Sequence, residues 1–96
     1  MKKSVIDDSN YCFICYKYKS ICRTATDTHH CLSGSNRKKC DEDGLTVRLC
    51  RSCHRNLHDK GLHDVDLKQI AEKKWLEVNN ASIKDFIRRY GKNWLD

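Results

Sequence analysis

The chain has 96 residues, 33% of them charged and 39% hydrophobic, and carries a net charge of +6. That length predicts one small domain with a thin core, the kind that needs disulfides, a metal or a partner chain as a staple. No stretch approaches the roughly 18 apolar residues of a membrane span, and the basic excess favours polyanionic partners such as DNA.

Met1-Lys2-Lys3 is followed by Ser4-Val5-Ile6 and then Asp7-Asp8, so no apolar signal region develops. A cytoplasmic location is expected, where thiols stay reduced. Seven cysteines in that compartment read as metal ligands before disulfides, and an odd count fits a closed disulfide framework poorly.

Residues 1–10 are polar and are expected as a loose N-terminal arm, with 11–96 as the single domain. Tyr11-Cys12-Phe13-Ile14-Cys15, with a second run ending Ile21-Cys22, predicts a zinc-knuckle turn with short extended flanks. Residues 24–32 are threonine-rich and predict a short strand. Ser33-Gly34-Ser35-Asn36 opens a loop expected to run through Arg37-Lys38-Lys39 to Asp43-Gly44. Residues 45–50, Leu45 to Cys50, alternate apolar and polar side chains, the period of a half-buried strand. The two strands make a hairpin.

A helix is predicted from about Ser52, as its cap, to Lys60 before Gly61. Residues 64–78 place Val65, Leu67, Ile70, Ala71, Trp75 and Val78 on one helical face, with an Asp64–Lys68 pair outside. Asn79-Asn80 breaks that helix. Ser82 and Asp85 resemble a capping box for a last helix with Ile83, Phe86, Ile87 and Tyr90 inside, ending at Gly91. The fold class is α+β. Trp94 and Leu95 pack either on the core or on a second subunit.

Two motifs carry chemistry. Cys12-x-x-Cys15 and Cys50-x-x-Cys53 present four thiolates, a complete tetrahedral shell with no open position and therefore a structural zinc site. Cys22, Cys31 and Cys40 are left as ordinary small side chains. The histidines form the second motif. His54 and His58 lie one turn apart on a helix and share a face. His29 and His30 alternate across a strand, so one can bind metal while the other meets a substrate. His63 is read as a surface histidine.

The order CxxC, HH, basic loop, then LCxxCHxxxH at a strand-to-helix junction resembles the HNH endonuclease superfamily. More narrowly, HHCLSGSNRKK, DGLTVRLCRSCHRNLH and the C-terminal DLKQIAEKKWLE and DFIRRYGKNWL resemble small HNH-like proteins of phages and prophages. The resemblance spans about residues 12–95. It implies a zinc-stabilised ββα-metal core at about 24–60 with two additional C-terminal helices at about 64–90.

It further implies metal-dependent DNA cleavage in the host cytoplasm. His30 is then the general base that activates a water, and His29, His54 and His58 hold a catalytic divalent metal ion. Imidazole titrates near neutral pH, as a base must. A histidine-only ligand set favours Zn2+, Mn2+ or Ni2+ over Mg2+. A carboxylate or a carbonyl is expected to orient His30. One departure stands out: Asp43-Gly44 occupies the place of the family's middle Asn, and Asn36 lies too early to replace it.

Arg37, Lys38, Lys39, Arg51 and Arg55 are the expected nucleic-acid contacts, with Arg88, Arg89 and Lys92 as a second basic cluster. Phosphate contacts of this kind orient but read no sequence. Cutting of limited specificity, or targeting by a protein partner, is expected. The competing reading is an inactive HNH-like zinc module that binds DNA or a host protein. A thiol redox protein is disfavoured because neither CxxC pair has a βαβ context.

Overall fold

The alternating segment Leu45 to Cys50 supplies the central strand. In a computed structural model, which describes residues 3–32 and 34–95, β2 spans Thr46–Leu49 and β1 spans Asp27–His30. They pair antiparallel, with Asp27 opposite Leu49 and His30 opposite Thr46. Leu45, Val47 and Leu49 are fully buried. Among the described residues, five α-helices and this two-stranded sheet make a small α+β structure.

Residues 3–10 are docked rather than loose; Met1 and Lys2 lie outside the described residues. The Val5 amide donates to the Gly44 carbonyl (2.9 Å), the Ser4 hydroxyl donates to the Thr46 carbonyl, and the Arg48 amide donates to Asp7 Oδ2 (3.4 Å). These contacts use the edge of β2 that β1 leaves free, where unpaired backbone groups need partners. That cover explains why Thr46 is buried although the alternation assigns it to solvent.

The segment after Cys12 is helical instead, α1 spanning Phe13–Lys19 and ending at Ser20 in the left-handed conformation, whereas Tyr11 keeps an extended pairing and bridges Thr24 antiparallel. The expected loop between the strands is also largely helical. A 3-10 turn over Gly34–Asn36 leads into α2, Arg37–Asp43, which stops at Gly44 with φ +72°. Arg37, Lys38, Lys39 and Glu42 all favour helix, and fully buried Cys40 anchors the segment. The turn-forming residues that suggested a loop sit at the two ends of this helix. Ser33, part of the predicted loop, lies outside the described residues.

Helix α3 spans Arg51–Lys60; its N-cap is Cys50, not Ser52, and Gly61 closes it. Helix α4 spans Asp64–Asn79, with the Asp64–Lys68 pair formed at 2.8 Å. Its inner face is Leu67, Ala71, Glu72 and Trp75, whereas Val65 and Val78 are about half exposed. Helix α5, Ile83–Tyr90, begins with the predicted capping box of Ser82 and Asp85. Phe86 and Tyr90 are buried, but Ile83 and Ile87 are exposed.

Asp43 joins these helices to the core. Its carboxylate accepts from Trp75 Nε1 (2.9 Å), Arg89 Nε (2.6 Å), Arg89 Nη2 (2.9 Å) and the Tyr90 hydroxyl. Trp94 packs against the core of the same chain, its amide donating to Glu72 Oε1 at 2.6 Å. Among the described residues, no helix is long and apolar enough to cross a membrane.

A Cβ at position 44 would meet the Lys3 carbonyl at 2.6 Å, in a backbone conformation that disfavours side chains. Gly44→Ala is therefore expected to destabilise the fold by about 1–3 kcal/mol and to release residues 3–7. Urea unfolding, with hydrogen exchange at the Val5 amide, checks both effects.

Candidate metal centres

Each CxxC pair straddles the start of a helix. Cys12 caps α1 with Cys15 in its first turn, and Cys50 caps α3 with Cys53 in its first turn. Amide N–H groups and the helix dipole at such ends favour thiolate. All four cysteines are buried, and their sulfurs lie within 4.8 Å of one another. Cys15 Sγ stands 3.9 Å from Cys50 Sγ and 3.6 Å from Cys53 Sγ. A tetrahedral ion with Zn–S bonds of about 2.3 Å sets sulfurs about 3.8 Å apart, whereas a disulfide needs about 2.05 Å. The four cysteines are close enough to hold one metal ion, and the donor set is compatible with a structural zinc.

Burial raises the Cys15 thiol. At Cys50, burial also acts upward, but the Cys53 amide and the neighbouring thiols outweigh it and bring the thiol to about 7.

The remaining cysteines stand apart. Cys22 is exposed, while Cys31 and Cys40 are buried in the core. Burial pushes both buried thiols up, Cys40 to about 11, so they stay neutral. The Cys40 thiol donates to the Leu32 carbonyl at 3.1 Å.

The second cluster joins β1 to α3. His29 is buried on the sheet, and His54 and His58 reach it from successive turns of α3. One ring nitrogen from each falls within 4.8 Å of the others. His54 Nε2 and His58 Nε2 are 3.1 Å apart. His54 Nδ1 lies 2.9 Å from Asp27 Oδ2, which leaves Nε2 free to bind. That contact with His54 also holds the Asp27 carboxyl below its usual range.

His29 Nε2 is buried and, among the described residues, has no hydrogen-bond partner. An orphaned buried nitrogen is costly, and a metal ion would satisfy it. Three imidazoles, one of them oriented by a carboxylate, fit a divalent ion with an open coordination position.

Burial first, then the neighbouring rings of His54 and His58, depresses His29 to about 4. The ring therefore stays neutral, the form that binds metal.

His30, the last residue of β1, turns to the other side of the strand. Its Nε2 lies 2.6 Å from Asp41 Oδ1 on α2. Because the strand ends there, His29 and His30 both line one cavity of about 240 Å3, together with Thr28, His54, His58 and Arg37. Of the expected phosphate contacts, Arg37 lies at this cavity. Lys38 and Arg55 are exposed on α2 and α3. Arg51 stands 3.6 Å from Asp27. Lys39 is committed elsewhere, donating to the Arg89 carbonyl at 2.7 Å.

Asp27 and Asp41 escaped the sequence reading. Asp27 carries a usable signal, since it lies two residues before His29 and shares its strand face. Asp41 carries no local signal, because its position depends on α2 being a helix. No protein-family model, curated protein or solved structure matches this chain.

Two outcomes are expected. Metal analysis of the purified protein finds at least one tightly held zinc per chain, and Cys12→Ser unfolds it because structural zinc supplies folding free energy; Cys22→Ser leaves both zinc content and melting temperature unchanged. The second outcome concerns pH. With its histidine site free of metal, the unfolded chain protonates His29 near 6.5 whereas the folded chain does so only at about 4. Stability is then fully present above pH 6.5 and falls toward pH 4, a loss that thermal unfolding at constant ionic strength detects and His29→Leu flattens.

Proposed function

We propose that the chain is a metal-dependent DNA endonuclease of the HNH type, encoded by a phage or prophage and acting in the host cytoplasm. The observation that carries this reading is the single cavity where β1 and α3 meet. There a three-histidine cluster stands beside a fourth histidine, His30, whose own partner is a carboxylate. On this reading Cys12, Cys15, Cys50 and Cys53 bind a structural zinc, and His29, His54 and His58 hold the catalytic ion.

When bound, that divalent ion stabilises charge developing on the scissile phosphate and its leaving oxygen. The chain's own residues do the rest. His30 accepts the proton of the attacking water as the new P–O bond forms and the bond to the leaving sugar oxygen breaks. Arg37 at the cavity edge is placed to contact a phosphate and hold the strand in register. Asp27 orients His54.

The second reading is a zinc-stabilised module that binds DNA or a host protein without cutting. Gly44 favours it, because the middle Asn of the HNH pattern has no counterpart at that position.

Nicking of supercoiled plasmid with Mg2+, Mn2+, Ni2+ or Zn2+ separates the two. The nuclease reading expects cleavage that falls by about 10²–10⁴-fold in His30→Ala and also falls in His54→Ala together with the bound metal. Cleavage that survives His30→Ala sinks the general-base assignment. No cleavage of duplex or single-stranded DNA with any of these metals favours the binding module.

A further inference from the structure

His30 is held by a residue from a different element. Helix α2 packs against β1, and Asp41 Oδ1 lies 2.6 Å from His30 Nε2. Among the described residues, the Asp41 carboxylate makes no other hydrogen bond. The His30 side chain is only 13% exposed, so the ring has little freedom to turn away from this partner.

An ionised carboxylate can only accept. In the neutral imidazole, the ring proton must therefore sit on Nε2, leaving Nδ1 with the lone pair. Asp27 does the reverse to His54: it accepts a hydrogen bond from Nδ1–H, which keeps the proton on Nδ1 and leaves Nε2 bare beside His58. Two carboxylates thus select opposite tautomers in two histidines of one cavity. For His54 the bare nitrogen belongs to the metal cluster. For His30 it belongs to none, since the three-histidine cluster is formed without it.

We propose that Asp41 is the positioning residue of the site: it locks His30 in the Nε2–H tautomer and makes Nδ1 the atom that takes a proton from water. The proton transfer rests on the nuclease reading, whereas the tautomer does not. Asp41 belongs to neither the three-histidine cluster nor the cavity lining, and it acts through His30 alone. Its partial exposure lets it be replaced without opening the core.

The experiment uses the full, zinc-loaded chain in two arms. In the first, long-range proton–nitrogen NMR of the labelled protein reads the His30 tautomer at a pH where the ring is neutral. Wild type is expected to show Nε2–H, and Asp41→Ala a mixture of both tautomers at unchanged zinc content. In the second, plasmid nicking is expected to show kcat reduced about 10–100-fold in Asp41→Ala with KM unchanged, and Asp41→Glu restoring part of the loss.

A wild-type Nδ1–H tautomer, or a tautomer that ignores Asp41→Ala, overturns the assignment. So does an unchanged kcat in an active enzyme. A locked tautomer that Asp41→Ala releases, in a protein that cuts nothing, upholds Asp41 as His30's anchor and removes the nuclease reading instead.

Discussion

The arrangement depends on four thiols meeting at the starts of two helices. Cys50 caps α3 and Cys53 lies in its first turn, so the cluster fixes where that helix begins and how it is rotated. His54 follows Cys53 directly and His58 lies one turn further on. Once the cluster is closed, both histidines face β1 without further adjustment. The same closure ties α1 to α3 across a long stretch of chain, the case in which a metal clip removes the most loop entropy. A core this small gains more from such a clip than a large one does.

Acidic side chains then divide the remaining work. Asp27 and Asp41 each hold one histidine. Asp43, on the same short helix as Asp41, turns the other way and gathers Trp75, Arg89 and Tyr90. Helix α2 is thus a spacer with two differently used ends of one turn: one aspartate serves the cavity and the next but one anchors the C-terminal helices. Arg89, read from sequence as part of a basic cluster, is drawn into this contact. Its guanidinium pKa is raised further by the hydrogen bond to the Asp43 carboxylate, so it stays a cation. The net charge of +6 already counts the Arg89–Asp43 pair as zero; what the pairing does is hold Arg89 against α2.

Features governed by local spacing were legible in the sequence. The CxxC pairs, the i,i+4 histidines, the capping box at Ser82 and the stop at Gly61 all follow from a few neighbouring residues, and each is formed. Features that depend on cover by a distant segment were not. Alternation sends Thr46 outward, but residues 4–7 lie over it. A helical stripe places Val65 and Val78 inside, but both are left about half exposed, and the inner face rotates to include Glu72. The α2 segment was misread because turn residues at both its ends outweighed the helix formers between them. With α2 unread, the partner of His30 could not be named.

Gly44 is where the N-terminal segment, α2 and the sheet meet. A side chain there would strike the Lys3 carbonyl, so the docked N-terminal segment requires glycine at this point. The backbone of Gly44 is instead held by its own carbonyl, which accepts from Val5. Two nearby acids hold the surrounding elements, Asp43 by binding the C-terminal helices and Asp41 by binding His30. Bracing through a carboxylate differs from bracing through an amide. An amide offers both donor and acceptor and is indifferent to tautomer, whereas a carboxylate dictates it. A histidine held by Asp41 is therefore committed to one bare nitrogen, Nδ1, the form that the proposed proton transfer would use.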